Sequence, residues 1–159
     1  MTGPGRLLEV LTNGGVRFVL VGGFAVIAHG VARATLDVDI VVEPSPESHE
    51  RLAAVMDDLG APALVQDPIG LYPDLDPRDP FDLARGIMIR VPTPHGILDL
   101  VNRPLGAPDW TRLAAAAGKA EVEGTEILVA GLEDLVAMKR ASGRPKDLLD
   151  VAELTRRDA

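Results

Sequence analysis

The amino-acid sequence predicts an α/β (α+β) fold in which a short mixed sheet is flanked by helices and followed by a small C-terminal helical part. Three observations lead to this fold class. Short β-branched runs of strand length alternate with stretches of helical spacing. Glycine pairs and prolines separate many of these runs. The region from residue 132 to 157 is helical except for a break at Ser142-Gly143.

The N-terminal part of the chain alternates between helix and strand. The predicted elements are a helix over 5–13, a strand over 16–21, a helix over 24–29, a strand over 36–42 and a helix over 46–59. Ser45 as N-cap and Pro46 at the first helical position mark the beginning of the last helix, and Gly60 marks its end.

Hairpins and helices make up the rest. The predicted elements are an antiparallel hairpin of strands over 87–91 and 97–101, a helix from Asp109 to Gly118, a hairpin over 120–129 around Gly124-Thr125, and helices over 132–141 and 145–157. We therefore predict a core over residues 1–105 and a segment over 106–159 whose hairpin and helices pack on that core as one compact unit.

Residues 66–82 differ from the rest of the chain because prolines and aspartates interrupt them repeatedly. A structureless segment of this length in a compact domain is often a functional lid. We interpret it as a long mobile loop that closes over an acceptor molecule.

The composition excludes several kinds of site and partner. The 159-residue chain has no cysteine and so cannot hold a disulfide or a cysteine zinc site. Its net charge of -8 argues against a protein that coats a nucleic-acid backbone, although a local basic cleft is compatible with it. The longest apolar run, 18–28, is short of the ~20 residues that span a membrane, and the N-terminus lacks an export signal. We expect a cytoplasmic protein outside the membrane.

Two aspartates interrupt the apolar strand over 36–42. Because side chains alternate along a strand, Asp37 and Asp39 share one face, and Leu36, Val38 and Ile40 share the other, which faces the core. Two carboxylates about 6 to 7 Å apart repel each other unless a cation lies between them. Asp99 is a third acid in an apolar strand, and a third carboxylate near a metal pair suits two-metal phosphoryl transfer.

Gly22-Gly23 lies between the first strand and the helix that follows it. Backbone N–H groups at such a turn can bind an anion. The sequence GGFAVIAHG lacks the G-x-G-x-x-G order of a dinucleotide site. A phosphate cradle beside a metal-binding pair is what transfer from a nucleoside triphosphate requires.

These motifs together resemble the polymerase-beta-type nucleotidyltransferase superfamily. GGFAVIAHGVARATLDVDI is most similar to AbiEii-type nucleotidyltransferases, toxins of toxin–antitoxin systems, with the pattern Gly-Gly, Ala, Gly, Arg-x-Thr-x-Asp-x-Asp. LEDLVAMKRASGRPKDLLDVAEL also resembles that group, in which a lysine-bearing helix precedes a Lys-Asp-x-x-Asp helix. The two matches extend from Val16 to Leu154 apart from the middle loop, and they imply a nucleotidyltransferase core over 1–105.

The resemblance also implies a role for each matching residue. The implied metal ligands are Asp37, Asp39 and Asp99, which with Lys139 would form the catalytic group. The implied nucleotide-binding residues are Gly22, Gly23, Arg33, Thr35, Lys139, Lys146, Asp147 and Asp150. The implied cofactor is Mg²⁺, as two ions, with Mn²⁺ as the alternative.

Simpler explanations exist for the charged residues. Arg33 could pair with Asp37, four residues later in the sequence. Lys146 and Asp150 could form a surface pair on one helix, worth about 0.2 to 0.5 kcal/mol. Asp147 and Asp150 could serve to position the lysines.

The resemblance implies transfer of a nucleoside monophosphate from an NTP to an acceptor hydroxyl, with release of pyrophosphate. The acceptor is open among RNA, especially a tRNA end, a protein side chain and a small molecule such as an aminoglycoside. A nucleotide-binding module without turnover, acting through a partner, is the alternative from another class. A cognate antitoxin is a candidate partner.

Overall fold

A computed structural model describes residues 3–70 and 72–157 of the chain. The helices are α1 (Pro4–Asn13), α2 (Gly22–Ala28), α3 (Pro46–Ala54), α4 (Met56–Leu59), α5 (Pro80–Arg85), α6 (Trp110–Ala116), α7 (Leu132–Ser142) and α8 (Pro145–Arg157). The strands are β1 (Phe18–Val21), β2 (Asp37–Val42), β3 (Met88–Thr93), β4 (Gly96–Val101), β5 (Gly118–Val122) and β6 (Thr125–Val129).

The strands form one mixed sheet of six strands in the order β3-β4-β2-β1-β6-β5. Two pairs are parallel, β2 with β4 and β1 with β6, and the other three are antiparallel. The predicted fold class is therefore confirmed. The β5–β6 hairpin, which lies in the segment after residue 105, extends the same sheet next to β1.

The core is built around β1, all four residues of which are buried. Helix α1 packs its leucines Leu7, Leu8 and Leu11 into the interior. In β2 the apolar residues Val38 and Ile40 are fully buried, whereas Asp37 and Asp39 lie on the partly exposed face. The prediction for Leu36 was wrong: it precedes the strand and is 81% exposed.

Two further differences from the prediction concern helix α3 and the β5–β6 turn. Ser45 caps α3 as predicted, accepting a hydrogen bond from the Ser48 backbone N–H, but the predicted helix over 46–59 is interrupted at Val55. The β5–β6 turn is centred on Glu123-Gly124, one residue earlier than predicted. Both residues have positive φ, 49° and 86°, which a two-residue hairpin turn of type I′ requires.

The segment 66–82 is more ordered than the sequence predicted. Leu75 forms a bridge with Val65, and helix α5 begins at Pro80. Arg78 donates to the carbonyl oxygens of Ala61 and Pro62 at 2.8 and 2.9 Å. The segment is therefore anchored to the body of the protein rather than irregular throughout.

Asp67 is a second anchor of this segment. Its carboxylate is 4% exposed and accepts hydrogen bonds from the backbone N–H groups of Ile69, Gly70, Ile87 and Met88 at 3.1, 2.6, 2.6 and 3.4 Å. These bonds tie the loop to the beginning of β3.

Within residues 3–70 and 72–157, no helix is both long and apolar enough to cross a membrane.

We predict that Asp67→Ala lowers the free energy of unfolding by about 3 kcal/mol, because several buried N–H groups lose a charged acceptor. Urea denaturation measures this change. Asp74→Ala, at an exposed position in the same segment, is the control and should change stability by less than about 0.5 kcal/mol. Equal effects of the two substitutions would contradict the anchoring role of Asp67.

Candidate active site

Three aspartates meet where β2 and β4 pair. In the parallel register Asp39 lies opposite Asp99, and Asp37 lies two residues earlier on the same face of β2. Asp99 is buried, with 3% exposure, and Asp37 and Asp39 are partly exposed. The structure thus brings the three predicted acids together.

The glycine turn lies directly beside this acid group. Val21, the last residue of β1, pairs with Asp39, so Gly22 follows at the same edge. Gly22 has φ +69°, and a Cβ added there would lie 2.0 Å from Oδ2 of Asp39. A Cβ on Gly23 would lie 2.9 Å from Oγ1 of Thr35. Neither position can carry a side chain without displacing one of these neighbours.

The C-terminal motif is a hydrogen-bonded network centred on Lys139. The Lys139 ammonium is buried and contacts Asp147 at 3.2 Å and Asp150 at 3.1 Å. Arg33 pairs with Asp150 rather than with Asp37, and Asp150 does not pair with Lys146. The structure therefore supports the explanation in which Asp147 and Asp150 position basic side chains. The side chains that they contact are those of Lys139 and Arg33.

Asp147 is fully buried and also accepts from Arg144 at 2.7 Å and from Ser142 at 2.8 Å. Its burial opposes ionisation, but the hydrogen bonds from Arg144, Ser142 and Lys139 outweigh this effect and hold its pKa well below its usual range. Asp147 is thus a charged, fully partnered centre of the network.

Arg90 is a residue of the site that the sequence reasoning missed. It lies opposite Asp99 in the β3–β4 pair, and its Nε and Nη2 atoms donate to the two Asp99 oxygens at 3.0 Å each. Nη2 also donates to Asp37 at 3.4 Å. The hydrogen bonds with Asp99 raise the pKa of Arg90 further above its ordinary value. The predicted hairpin over 87–101 was the available signal, although its predicted bounds place Arg90 across from Leu98 and only the observed register places it across from Asp99.

Most of these residues border one cleft of about 340 Å³. Every predicted site residue lines this cleft except Asp150. Asp150 instead contacts Lys139 and Arg33, and both of these residues line the cleft. The charged lining residues are the bases Arg33, Arg90, Arg103, Lys139, Arg144 and Lys146 and the acids Asp37, Asp39, Asp99 and Asp147. The cleft is therefore locally basic in a protein of net charge -8, which suits an anionic ligand.

The crowded acids change the protonation of Asp39. Burial raises the pKa of Asp39 from 3.8 to about 7, assisted by the charge of Asp99, a hydrogen bond with Asp99 and the charge of Asp37, and opposed by the charge of Lys139. Asp39 consequently holds its proton over a pH range in which isolated carboxylates are ionised.

These residues suit a divalent cation by donor type, because hard cations bind carboxylate oxygens and a cation would relieve the repulsion at Asp39. The positions of the three carboxylates, however, are not those of a preformed metal site. Among the residues that the structure describes, no three His, Cys, Asp or Glu side chains form a group that could hold a metal ion as they stand. Arg90 bridges Asp37 and Asp99 instead.

Several solved structures share the fold of this chain, among them the following three. The lincosamide antibiotic adenylyltransferase LnuA is 12% identical, with a TM-score of 0.62 over 94% of this chain and 92% of that one. The antibiotic-resistance factor ANT(2'')-Ia is 15% identical, with a TM-score of 0.61 over 97% and 81%. An antigenic nucleotidyltransferase-like protein from Paracoccidioides brasiliensis is 14% identical, with a TM-score of 0.54 over 94% and 72%.

The fold is therefore one that nucleotidyltransferases adopt. A search of curated proteins finds no match. The family model for the nucleotidyl transferase AbiEii toxin of type IV toxin–antitoxin systems matches residues 6–159. The chain belongs to this family, and the resemblance found in its motifs is confirmed.

We predict a pH-dependent contribution of Asp39 to stability in metal-free buffer. The raised pKa means that protonated Asp39 stabilises the fold below about pH 4 and that this stabilisation is lost as the pH rises to about 7. Asp39→Asn does not titrate, so relative to the wild type it should gain stability between pH 4 and 8, by up to about 4 kcal/mol. Urea denaturation in EDTA at several pH values measures this difference.

Asp58→Asn, at an exposed position on α4, is the control for this measurement, and its difference from the wild type should be nearly constant with pH. A constant difference for Asp39→Asn as well would refute the raised pKa.

Proposed function

We propose that the protein transfers a nucleoside monophosphate from an NTP to an acceptor hydroxyl, releasing pyrophosphate. One observation carries this proposal: three aspartates on one face of the paired strands β2 and β4 lie beside a glycine turn that leaves no room for a side chain. The cleft around them is locally basic although the protein is acidic. Family membership supports the same reaction.

Each group has a distinct task in this proposal. The acceptor oxygen attacks the α-phosphorus, the bond to the β-phosphate oxygen breaks, and pyrophosphate leaves. Gly22 and Gly23, with Thr35 behind them, receive the triphosphate. Lys139, Arg33 and Lys146 compensate its charge, while Asp147 and Asp150 hold Lys139 and Arg33 in place. Asp99 accepts the proton of the attacking hydroxyl or binds a metal ion.

The reaction is metal-dependent in this proposal, with Asp37, Asp39 and Asp99 as ligands of Mg²⁺, in two sites, or of Mn²⁺. A bound divalent cation supplies charge that stabilises the transition state and lowers the pKa of the attacking hydroxyl. The donor set supports this assignment, because divalent cations of this kind prefer carboxylate oxygens and would offset the crowding of negative charge that helps to raise the pKa of Asp39.

The apolar side of the cleft bears on the acceptor. It is formed by Ile69, Ile87, Met88, Val101, Pro104 and Leu105. Ile69 and Leu105 are 63% and 72% exposed at its border. No aromatic residue is among the described residues that line the cleft, although single-stranded RNA is commonly bound by stacking on aromatic rings. These features favour a small molecule with an apolar face over a tRNA end or a protein side chain.

The neighbour LnuA, named as a lincosamide antibiotic adenylyltransferase, is compatible with an acceptor of this kind. The family description adds a cellular context. We therefore include in the proposal a cognate antitoxin as partner and the cytoplasm as the place of the reaction, where NTPs are available.

The central test is transfer of label from α-labelled NTPs in the presence of Mg²⁺ or Mn²⁺ and a cell lysate fractionated into RNA, protein and small molecules. We expect label in the small-molecule fraction and release of pyrophosphate. Asp39→Ala should lower the rate about a thousandfold or more, because it removes a proposed metal ligand. Unchanged metal-dependent transfer by Asp39→Ala would reject the assignment, and nucleotide binding without pyrophosphate under every condition would favour a module without turnover.

A second prediction concerns the glycine turn. Gly22→Ala should weaken binding of a non-hydrolysable NTP analogue by about tenfold or more, because the new methyl group meets the Asp39 carboxylate and the φ of +69° is strained for alanine. Calorimetry measures the affinity. Gly118→Ala is the matched control, since a Cβ there meets nothing within 4 Å, and it should bind as the wild type does. Wild-type affinity in Gly22→Ala would exclude the turn from the nucleotide site.

A further inference from the structure

Arg90 holds the two acids that a metal ion would need. Both oxygens of Asp99 are taken up by its Nε and Nη2 atoms at 3.0 Å, and Nη2 reaches Asp37 at 3.4 Å. The Asp99 side chain is 5% exposed, so solvent offers little alternative access to it. A cation that binds Asp37 and Asp99 must therefore displace the guanidinium or tolerate it at close range.

We propose that Arg90 is a positioning residue that competes with the metal ion for Asp99 and Asp37, so that metal binds tightly only together with the nucleotide. The inference rests on the proposed function for the identity of that nucleotide as an NTP. It explains why three carboxylates on adjacent strands do not form a ready chelate in this structure.

The coupling to nucleotide follows from charge. A free divalent cation that displaces Arg90 leaves its guanidinium in the cleft without an anionic partner. A triphosphate arriving with the cation supplies one, because the planar fork of Arg binds phosphate as well as carboxylate with two parallel hydrogen bonds. Arg90 lines the same cleft as Gly22 and Lys139. It can therefore exchange a carboxylate for a phosphate without leaving the site.

The position of Arg90 supports an exchangeable contact rather than a structural one. Its side chain is 45% exposed, and it lies on β3, at the edge of the sheet. This exposure leaves the guanidinium room to move away from Asp99 and toward a ligand in the cleft. Its backbone N–H is bonded to the Gln66 carbonyl at 3.0 Å, so the strand is held in place whichever partner the side chain has.

The test is Mn²⁺ binding by calorimetry, with and without a non-hydrolysable NTP analogue, on the wild type, Arg90→Gln and Arg103→Gln. Arg103 is an exposed cleft arginine with no carboxylate partner among the described residues, so its substitution controls for the loss of one positive charge. Without nucleotide, we expect Arg90→Gln to bind Mn²⁺ at least about tenfold more tightly than the wild type. Arg103→Gln should stay within about threefold of the wild type.

The measurements with the NTP analogue test whether nucleotide binding and metal binding are coupled through Arg90. The analogue should tighten Mn²⁺ binding by a smaller factor in Arg90→Gln than in the wild type, because the variant has no guanidinium to transfer. Thermal unfolding with and without Mn²⁺ gives a second readout, in which the ion should raise the Tm of Arg90→Gln more than that of the wild type.

Arg90→Gln binding Mn²⁺ no more tightly than the wild type would overturn the inference, as would an equal gain in Arg103→Gln. These measurements need no turnover. If metal binding behaves as expected and no label is ever transferred, the inference on Arg90 stands and the proposed function falls. If label is transferred but the wild type and Arg90→Gln bind Mn²⁺ equally, the proposed function stands and the inference on Arg90 falls.

Discussion

The parallel pairing of β2 with β4 is the interaction on which the site depends. It places Asp39 opposite Asp99, and the buried residues of the opposite face hold this register in place. Val38 and Ile40 of β2 and Leu98 and Leu100 of β4 all point into the core. A slip by one residue would turn these apolar side chains toward the cleft and the acids toward the core. The hydrophobic effect in the core therefore keeps three mutually repelling carboxylates together.

A second layer of charge surrounds the acids and belongs to the last two helices. Lys139 of α7 is held by Asp147 and Asp150 of α8, and Asp150 also binds Arg33 from the other end of the chain. A buried ammonium with two carboxylate partners is oriented but largely neutralised. Among the described residues of the cleft, the exposed cations Lys146 and Arg103 have no such carboxylate partner.

The sequence predicted those features that depend on local periodicity. Alternation along a strand gave Asp37 and Asp39 a common face, and the glycine pair marked the turn beside them. The pairing of Arg33 with Asp150 was out of reach, because 117 residues separate the two and no local rule links them. The anchors of segment 66–82 were missed for a similar reason, since a buried Asp67 that binds the backbone of residues 87 and 88 looks like any loop aspartate in the sequence.

The Arg33–Asp150 contact also has a consequence for how the enzyme is made. Synthesis proceeds from the N-terminus, so the acids of β2, the glycine turn and Arg33 leave the ribosome long before Asp147 and Asp150 do. Until α8 emerges, Lys139 and Arg33 have none of their carboxylate partners from that helix. A nascent or prematurely ended chain would carry the acid group and Arg90 without an ordered Lys139 or Arg33, and these two cations would be fixed only when α8 docks.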